Sequence, residues 1–368
     1  TLEEELLSQG HNVYIFTTTQ SNDLKKNNRI YRLPSMPLVL FADHKIGISY
    51  SPRALKAVKR LKLDVIHSQT EFSLGIFAKM AARKYNIPFV HTYHTMYEDY
   101  VHYLSKFKLF NFSPRFARRY SRFFCNGADT VVAPTEKTRT FLLSYGVQKP
   151  IHIIPTGINF KPFKKSSFNP EDIVSLRKEY GFRPDDPIIV FIGRLAKEKS
   201  VDVIIRAIPQ LLTKLPEAKF FIVGDGPARL ELENLANKLG VSSSVVFAGQ
   251  QNWEDIGKFY QVGDVFVSAS VSETQGLTFA EAMAAEIPVI AKKDDNLNGI
   301  LEDGITGRVF ENDEDLPEIF YELLTDSAQR QKLVANATKA IEPLSSSSFG
   351  ESMEELYYKV MERNPQER

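Results

Sequence analysis

The stretch VSASVSETQGLTFAEAMAA, residues 267–285, decides the fold, because it carries a buried strand into a helix through a short polar loop. Gly276 lets the backbone of this loop approach a ligand closely. The helix that follows offers free N–H groups and a positive dipole end, which suit a phosphate. The stretch therefore predicts a ligand-binding turn at the carboxyl end of a strand.

Two carboxylates, Glu273 and Glu281, stand eight residues apart in this stretch. Glu273 in the loop can accept hydrogen bonds from sugar hydroxyls, and Glu281, one turn into the helix, can reach a second set. The tetrapeptide TFAE, which runs from Thr278 to Glu281, also fits a capping box, in which Glu281 only returns to the helix N-terminus. Taken alone, the stretch leaves both interpretations open.

The segment GRLAKEKS, residues 193–200, directly follows the apolar run PIIVFI. Its Arg194 and Lys199 lie in a predicted strand-to-helix turn, where two cations can neutralise a diphosphate as it leaves. An exposed basic loop is the alternative. VGDGP, residues 223–227, repeats this geometry. Neither segment is a Walker loop or a G-x-G-x-x-G fingerprint, so the sequence argues against nucleotide binding of the kinase or dehydrogenase kind.

Short apolar runs rich in Val, Ile and Phe alternate with segments of helical period along the chain. Strands without polar alternation, spaced by crossover helices, are typical of a parallel sheet covered on both faces. Two such series predict two doubly wound α/β domains. The predicted strands are 13–17, 64–68, 88–93, 129–134, 151–156, 187–193, 218–224, 244–249, 264–270 and 287–292, and helices are predicted at 52–62, 73–85 and 135–145.

The domain boundary is predicted from a segment rich in Pro, Gly, Lys and Ser at 155–170. We place an N-terminal domain at 1–158 and a C-terminal domain at 159–345. The remaining segment, 346–368, would form a helix that packs back on the first domain. At its start, SSSS at 345–348 predicts a loop before a helix over 350–363.

The first domain has an unusual start for a doubly wound fold. Its first recognisable element is a helix that ends at Gly10, whereas such a domain opens with a strand and a tight turn. We therefore expect a further strand before residue 1, and a first domain that is incomplete without it.

The composition is that of an ordinary soluble protein of 368 residues, with 43% hydrophobic and 25% charged residues. No apolar run approaches the roughly 18 to 20 residues that a membrane-spanning helix needs. The opening TLEEELL is acidic, which is not typical of a cleavable signal peptide. One cysteine, Cys125, cannot form an internal disulfide, which favours a reducing cytoplasm.

The net charge of +1 conceals a division of charge along the chain. Residues 1–160 contain 22 Lys and Arg against 11 Asp and Glu, whereas residues 161–368 contain 24 against 34. A basic N-terminal half joined to an acidic C-terminal half predicts an anionic partner for the former, whether phosphate, nucleic acid or lipid headgroup.

Together with PTGIN at 155–159, the ordered set of motifs resembles the retaining glycosyltransferases of family 4, which have the GT-B fold. The resemblance covers essentially the whole chain. It implies that Arg194 and Lys199 bind the donor diphosphate, that Glu273 contacts the transferred hexose and that Glu281 binds the nucleotide ribose. It also implies donor contacts from Gly193, Gly224, Gly276, Leu277 and Thr278. The family uses no metal cofactor.

The segment HTYHTMYEDYVHY, residues 91–103, follows a predicted strand of the first half. His91 and His94 lack a third clustered ligand, so a packed strand-end histidine is a better interpretation than zinc. The resemblance implies that Tyr93-His94-Thr95 places His94 at the donor hexose, where it orients the sugar. No residue is evidently placed as a covalent nucleophile, and front-face displacement is what the family implies.

The segment YVHYLSKFKLFNFSPRFARRYSRFF, residues 100–124, contains six cations, nine aromatic residues and no acid. Cations attract anionic lipid by about 1 kcal/mol each, and aromatic residues can enter the headgroup boundary. Single-stranded nucleic acid is one alternative, and a helix with buried aromatics and solvated cations is another. We favour a membrane surface, contacted by Lys106, Phe107, Lys108, Phe110, Phe112, Arg115, Arg118, Arg119 and Arg122.

HSQTEFSLG at 67–75 and DDNLNGIL at 294–301 resemble one branch of the family, the bacterial diacylglycerol α-glucosyltransferases. The resemblance implies transfer of glucose from UDP-glucose to the 3-hydroxyl of 1,2-diacylglycerol, by a cytoplasmic enzyme bound peripherally to the inner face of the membrane. It also implies that the expected additional strand belongs to the cleft floor, so that the chain without it binds donor poorly or is inactive.

Two rival functions remain open. The first keeps the enzyme class but uses galactose, an already glycosylated lipid or a soluble acceptor such as a thiol precursor. The second is a non-catalytic protein that binds nucleic acid or a lipid surface. Non-hydrolysing sugar-nucleotide epimerases share the two-domain architecture, but their motifs do not appear in order here.

Overall fold

The computed structural model describes residues 1–368 apart from 19–28, 34, 39–40, 48–49, 95–113, 272–274, 295–296, 298–299 and 363–368. The chain divides into two compact units. Unit 1 consists of Thr1–Gly157 together with Ser347–Arg368, and unit 2 consists of Ile158–Ser346.

Unit 1 is built on a parallel sheet in which four strands follow one another in chain order. Two further strands pair in parallel, and two pair antiparallel. The strands are β1 (Ile15–Thr18) with β2 (Ile30–Leu33), β3 (Ser35–Leu38) with β4 (Phe41–Gly47), and β5 (Ile66–Ser68), β6 (Phe89–Thr92), β7 (Thr130–Ala133) and β8 (Ile151–Ile153). The helices are α1 (Leu2–Ser8), α2 (Pro52–Leu61), α3 (Ser73–Tyr85), α4 (Pro114–Cys125) and α5 (Glu136–Ser144).

Unit 2 is a six-stranded parallel sheet with helices on both faces. The strands are β9 (Ile188–Ile192), β10 (Lys219–Val223), β11 (Val245–Gly249), β12 (Val265–Ser268), β13 (Val289–Lys292) and β14 (Arg308–Phe310). The helices are α6 (Pro170–Glu179), α7 (Val201–Lys214), α8 (Arg229–Lys238), α9 (Ile256–Val262), α10 (Leu277–Ala284), α11 (Leu316–Thr325) and α12 (Ser327–Ala340).

The two faces of the unit 2 sheet are buried in two separate apolar clusters. Ile189 and Phe191 of β9 belong to the cluster that contains α7, whereas Ile188 and Val190 belong to the cluster that contains α10. Successive strand residues therefore alternate between two covered faces. This confirms the doubly wound α/β fold predicted from the unbroken apolar runs.

The strand order of unit 2 is β11-β10-β9-β12-β13-β14. The chain starts near the middle at β9, builds outward through β10 and β11, and then returns to β12 on the other side of β9. The carboxyl ends of β9 and β12 thus flank the point where the order reverses. Ligands of open doubly wound sheets bind at this switch point.

The last helix, α13 (Ser346–Glu362), belongs to unit 1. Its buried Phe349 and Met353 pack in one cluster with Leu6 and Val90. The loop predicted over 345–348 is therefore wrong for its last three serines, which form the first turn of this helix. Serine has a modest helix propensity, and the packing of the apolar face that follows outweighs it.

No helix within the described residues is both long and apolar enough to cross a membrane.

Unit 1 contains a cavity of about 1170 Å³, lined by residues of β1, β5, α3 and α13 among others. The further strand expected before residue 1 stays a prediction.

Candidate active site

The loops that follow β9 and β10 lie side by side at the carboxyl edge of the unit 2 sheet. The Leu195 N–H donates to the Asp225 carbonyl at 2.9 Å, and the Ala228 N–H donates to the Leu195 carbonyl at 3.0 Å. Gly224 has φ +136°, and a Cβ there would lie 1.9 Å from the Gly193 carbonyl oxygen. Only glycine permits this approach, so VGDGP serves to bring the second loop against the first.

Arg194 and Lys199 both lie in the loop after β9, as predicted. The Arg194 guanidinium, about half exposed, forms a salt bridge with Glu198, which is mostly buried. Lys199 ends a 3₁₀ turn that leads into α7. The Glu198 carboxylate thus fixes one of the two cations at the carboxyl end of β9. The donor-binding role of Arg194 and Lys199 stays a prediction.

The start of α10 carries no side-chain cap in the described structure. Its N-cap residue, Gly276, has φ +70°, the left-handed conformation that favours glycine. The Glu281 carboxylate instead accepts a hydrogen bond of 2.7 Å from the Tyr260 hydroxyl. The capping-box interpretation is therefore wrong, because Glu281 is held by the neighbouring helix α9.

Glu281 is an unusual carboxylate because it is only 6% exposed. Burial raises its pKa to about 7, and the hydrogen bond from Tyr260 opposes part of that rise. A carboxyl group with this pKa is partly protonated at neutral pH. Sequence reasoning did not identify Tyr260, since only the fold brings it to Glu281.

Strands β9 and β12 are hydrogen-bonded neighbours, with Ile189 paired to Val265. The loop with Arg194 and Lys199 and the turn into α10 therefore leave the sheet side by side, at the switch point. Leu277 and Thr278 form the first turn of α10. Glu273 lies outside the described residues, so its predicted role stays a prediction.

Unit 1 gathers three histidines at the carboxyl ends of β5 and β6: His67, His91 and His94. His91 is fully buried, with Nδ1 3.1 Å from the Ser68 carbonyl and Nε2 3.1 Å from Glu71 Oε1. Both ring nitrogens are thus engaged by protein groups inside unit 1. His91 is therefore a packed strand-end histidine, the interpretation preferred over zinc.

His94 is partly exposed and its Nε2 lies 2.6 Å from Gln69 Oε1. His67 lies beneath Gln69, with Nδ1 2.7 Å from the Tyr357 hydroxyl and Nε2 2.7 Å from Thr92 Oγ1. Burial, reinforced by His91 and His94, lowers the pKa of His67 to about 3. Burial also lowers the pKa of His94, against the opposing effect of Glu71. Both rings are thus neutral at pH 7.

We name His67, His91 and His94, with the side chains that contact them, the imidazole cluster. Some of its residues were not predicted from the sequence. Gln69 and Glu71 lie within HSQTEFSLG, a segment quoted only for its resemblance, and Tyr357 lies nearly three hundred residues away on α13. Within the described ranges, no group of three or more His, Cys, Asp or Glu residues could hold a metal ion. The metal-free interpretation stays a prediction.

Helix α4 is the described part of the basic aromatic segment. Its Phe116 and Phe123 are 50% and 70% exposed, whereas Phe124 and Cys125 are buried. Four arginines share the exposed surface, namely Arg115, Arg118, Arg119 and Arg122. The alternative of a helix with buried aromatics is thus wrong for Phe116 and Phe123. Lys106, Phe107, Lys108, Phe110 and Phe112 lie outside the described residues.

A basic pocket of about 380 Å³ lies beside this helix, lined by Lys79, Arg83, Arg119 and Arg122 together with Phe123, Asn126 and Gly127. Lys79 Nζ donates to the Phe123 carbonyl at 3.2 Å and lies 4.3 Å from the Phe123 ring centroid. Burial, with a contribution from Arg83, lowers the pKa of Lys79. We name the exposed arginines and phenylalanines of α4 together with this pocket the α4 surface.

The chain matches two glycosyltransferase families. Residues 1–161 match the family described as Glycosyltransferase Family 4, and residues 172–340 match that described as Glycosyl transferases group 1. It is 34% identical over 358 residues to alpha-monoglucosyldiacylglycerol synthase of Streptococcus pneumoniae, covering 97% of this chain and 80% of that one. It is 33% identical over 370 residues to the synthase of the same name from Acholeplasma laidlawii, covering 99% and 92%.

Solved structures share the architecture at low sequence identity. Anabaena Alr3699/HepE, in complex with UDP and glucose, superposes with a TM-score of 0.75 at 19% identity, covering 95% of this chain and 100% of that one. Sucrose-phosphate synthase of Thermosynechococcus elongatus superposes with a TM-score of 0.75 at 22% identity, covering 98% and 91%. At such identities the similarity shows the fold alone.

Proposed function

Because the chain belongs to the family 4 glycosyltransferases, we propose that it transfers glucose from UDP-glucose to the 3-hydroxyl of 1,2-diacylglycerol, with retention of the α-configuration. The predicted GT-B fold is confirmed. The chain is a hexosyltransferase. The observation that carries the proposal is that the Arg194 loop and the turn into α10, the helix with the buried Glu281, leave neighbouring strands at the switch point of unit 2.

The donor side of the proposal follows from what each group can do. Arg194 and Lys199 are positive groups at the carboxyl end of β9, and they would stabilise the negative charge that develops on the departing UDP. The N–H groups at the start of α10 would bind a phosphate oxygen. The Glu281 oxygen that does not contact Tyr260 would accept hydrogen bonds from the ribose hydroxyls.

Two cations and a helix N-terminus can supply the charge stabilisation that other transferases obtain from a metal ion. We therefore propose that transfer needs no metal. The departing phosphate would take the proton of the acceptor hydroxyl on the same face of the sugar, and His94 and Glu273 would orient the hexose.

The acceptor side of the proposal rests on the α4 surface. Exposed phenylalanine side chains are unfavourable in water, and their transfer into the headgroup boundary of a bilayer lowers the free energy. Arginines on the same helix attract anionic lipid. We propose that unit 1 binds the cytoplasmic face of the membrane through this helix and receives diacylglycerol there. The named synthases of Streptococcus and Acholeplasma support a diacylglycerol acceptor.

The transferase proposal is tested by offering labelled UDP-glucose or UDP-galactose to vesicles that contain diacylglycerol and anionic lipid, in the presence of EDTA. We expect labelled monoglucosyl lipid from UDP-glucose, and its loss in Arg194→Ala and Glu273→Ala proteins that remain folded. Labelled lipid from UDP-galactose alone would show that the transferred sugar is galactose and not glucose. Release of UDP without labelled lipid would exclude diacylglycerol as the acceptor, and normal transfer by both variants would refute the site.

The membrane proposal has a matched control within unit 1. Replacing Arg115, Arg118, Arg119 and Arg122 by Ser should abolish sedimentation with anionic vesicles. Replacing Arg53, Lys56, Lys59 and Arg60 by Ser removes four cations from α2, an exposed basic face without exposed aromatics, and should leave sedimentation nearly unchanged. Equal losses in the two variants would mean that net charge alone, and not the α4 surface, drives binding.

A further inference from the structure

The Gln69 side chain bridges two rings of the imidazole cluster. Its Oε1 lies 2.6 Å from His94 Nε2, and its Nε2 lies 3.3 Å from both ring nitrogens of His67. An atom at this distance from both nitrogens lies out of the ring plane, because an in-plane position would bring it into steric overlap with the ring carbons. The amide N–H group thus faces the π-electrons of His67, and the amide oxygen faces His94.

This orientation fixes the tautomer of His94. An amide oxygen can only accept a hydrogen bond, so His94 Nε2 must carry a proton. Burial keeps the pKa of His94 low, and Glu71, His91 and His67 are the titratable groups around it. A neutral ring carries one N–H. Nδ1 of His94 therefore presents a lone pair.

The His67 ring is held in place on both sides, so the Gln69 amide packs against a fixed group. Tyr357 of α13 and Thr92 of β6 engage its two nitrogens at 2.7 Å each. Because its pKa is lowered to about 3, the ring stays neutral and keeps its electron-rich face toward the amide. A charged His67 would repel the N–H group of Gln69.

We propose that Gln69 is a positioning residue that holds His94 in the Nε2-protonated tautomer, so that Nδ1 accepts a hydrogen bond from a hydroxyl of the transferred hexose. The role of Nδ1 rests on the proposed function, whereas the tautomer does not. Gln69→Leu removes the acceptor and lets both tautomers form. Gln69→Glu keeps an acceptor oxygen at the same position.

The tautomer is measured by two-dimensional NMR of the whole chain labelled with ¹⁵N-histidine, with the His94 signals identified by their absence in His94→Gln. We expect the Nε2–H form in the wild type and a mixture in Gln69→Leu. In Gln69→Glu we expect the Nε2–H form at a pH high enough to keep His94 neutral beside the added carboxylate. The control is Gln148→Leu, an exposed glutamine of the same unit, which should leave the His94 signals unchanged. A mixed or Nδ1–H ring in the wild type would overturn the assignment.

Steady-state transfer from UDP-glucose to diacylglycerol vesicles tests the role. We expect kcat of Gln69→Leu to fall about tenfold, which corresponds to the loss of one neutral hydrogen bond, with KM for UDP-glucose nearly unchanged. In Gln69→Glu, kcat should be largely restored at the pH where His94 is neutral. A shifted tautomer with unchanged kcat would refute the positioning role. If the wild type showed the expected tautomer but transferred no hexose, the proposed function and the role of Nδ1 would both fail, and the tautomer would stand.

Discussion

At the scale of single residues, Glu281 combines a deep burial with a position in the proposed donor site. Its raised pKa means that the folded protein holds this proton more tightly than the unfolded chain does. The donor would require the ionised form as a hydrogen-bond acceptor for its ribose hydroxyls. Donor binding would therefore favour the ionised form of Glu281, whereas the folded protein is more stable with the protonated form.

Glu281→Gln should stabilise unit 2 at alkaline pH. Between the ordinary pKa of 4.5 and the folded value of about 7, the folded state binds more protons, so the free energy of unfolding falls as pH rises. The cost approaches about 3 kcal/mol above pH 8, and the uncharged amide does not incur it. Urea unfolding at pH 5 and pH 8 measures the effect.

The exposed Glu314 provides the control for this substitution, because Glu314→Gln removes a carboxylate of the same unit without a buried environment. The gap between pH 5 and pH 8 should shrink in Glu281→Gln and persist in Glu314→Gln. We also expect Glu281→Gln to bind UDP more weakly. A pH dependence that is the same in all three proteins would show that Glu281 ionises normally.

Gly224→Ala should disrupt the contact between the two loops of the proposed donor site. The new Cβ would lie 1.9 Å from the Gly193 carbonyl oxygen, a backbone atom that cannot move alone. Gly240→Ala is the matched control, because Gly240 also has a positive φ, +72°, but no atom lies within 4 Å of its Cβ position. The control should lose about 1 kcal/mol to backbone strain, and Gly224→Ala several times as much.

Calorimetric binding of UDP separates stability from function in this pair. Gly224→Ala should lose UDP affinity even where it remains folded, since the loop that carries Arg194 must shift, and Gly240→Ala should bind UDP normally. Equal stability and equal binding in the two variants would show that the loops tolerate separation.

At the scale of elements, α13 follows unit 2 in the chain but packs in the core of unit 1. Met353→Ala should therefore destabilise unit 1 by about 2–5 kcal/mol, the usual cost of truncating a fully buried methionine. Leu333→Ala truncates a buried residue of α12 and should destabilise unit 2. Native-state hydrogen exchange of peptides from β6 and β9 assigns each loss to its unit. Faster exchange in β9 of Met353→Ala would contradict the assignment.

Sequence patterns identified the strands that are buried on both faces of the sheet. The run IIVFI is apolar throughout because β9 is covered on both faces, and the same holds for β10 and β12. Strands β2, β3, β4 and β14 were not predicted. β14 is three residues long and begins with Arg308, so neither an apolar run nor a period marks it.

The candidate site was predictable where its residues are local in sequence. Arg194, Lys199 and Gly276 follow predicted strands, and the fold places each where the motif indicates. Tyr260 and Tyr357 were missed because their hydrogen bonds to Glu281 and His67 span 21 and 290 residues. No pattern of spacing reveals a contact that only the tertiary structure creates.

At the scale of the whole molecule, the division of charge is the feature with the widest effect. Unit 1, with its C-terminal helix, contains 25 Lys and Arg against 16 Asp and Glu, whereas unit 2 contains 21 against 29. Nearly equal and opposite net charges are therefore carried by two separate units. An anionic surface attracts one of these units and repels the other. The net charge of +1 therefore understates how strongly the protein responds to such a surface.

Association with anionic vesicles should weaken steeply with salt. The Debye length falls from about 10 Å at 0.1 M to about 3 Å at 1 M, which screens the arginines of the α4 surface. We expect the bound fraction in sedimentation to fall at least tenfold over this range. UDP binding in solution, which would depend on short contacts at the proposed donor site, should change far less. Binding to vesicles that persists at 1 M salt would indicate apolar insertion as the main term.

Cys125 has a practical consequence for experiments on this protein. It is the single cysteine of the sequence, its side chain is fully buried, and burial raises the pKa of its thiol. A thiol of this kind reacts slowly with maleimides and disulfide reagents. A cysteine introduced in place of Lys56 and another in place of Lys238, both exposed, would therefore take up a pair of spin labels or fluorophores selectively. The native sequence is already a suitable background for measuring the distance between its two units and its change with donor.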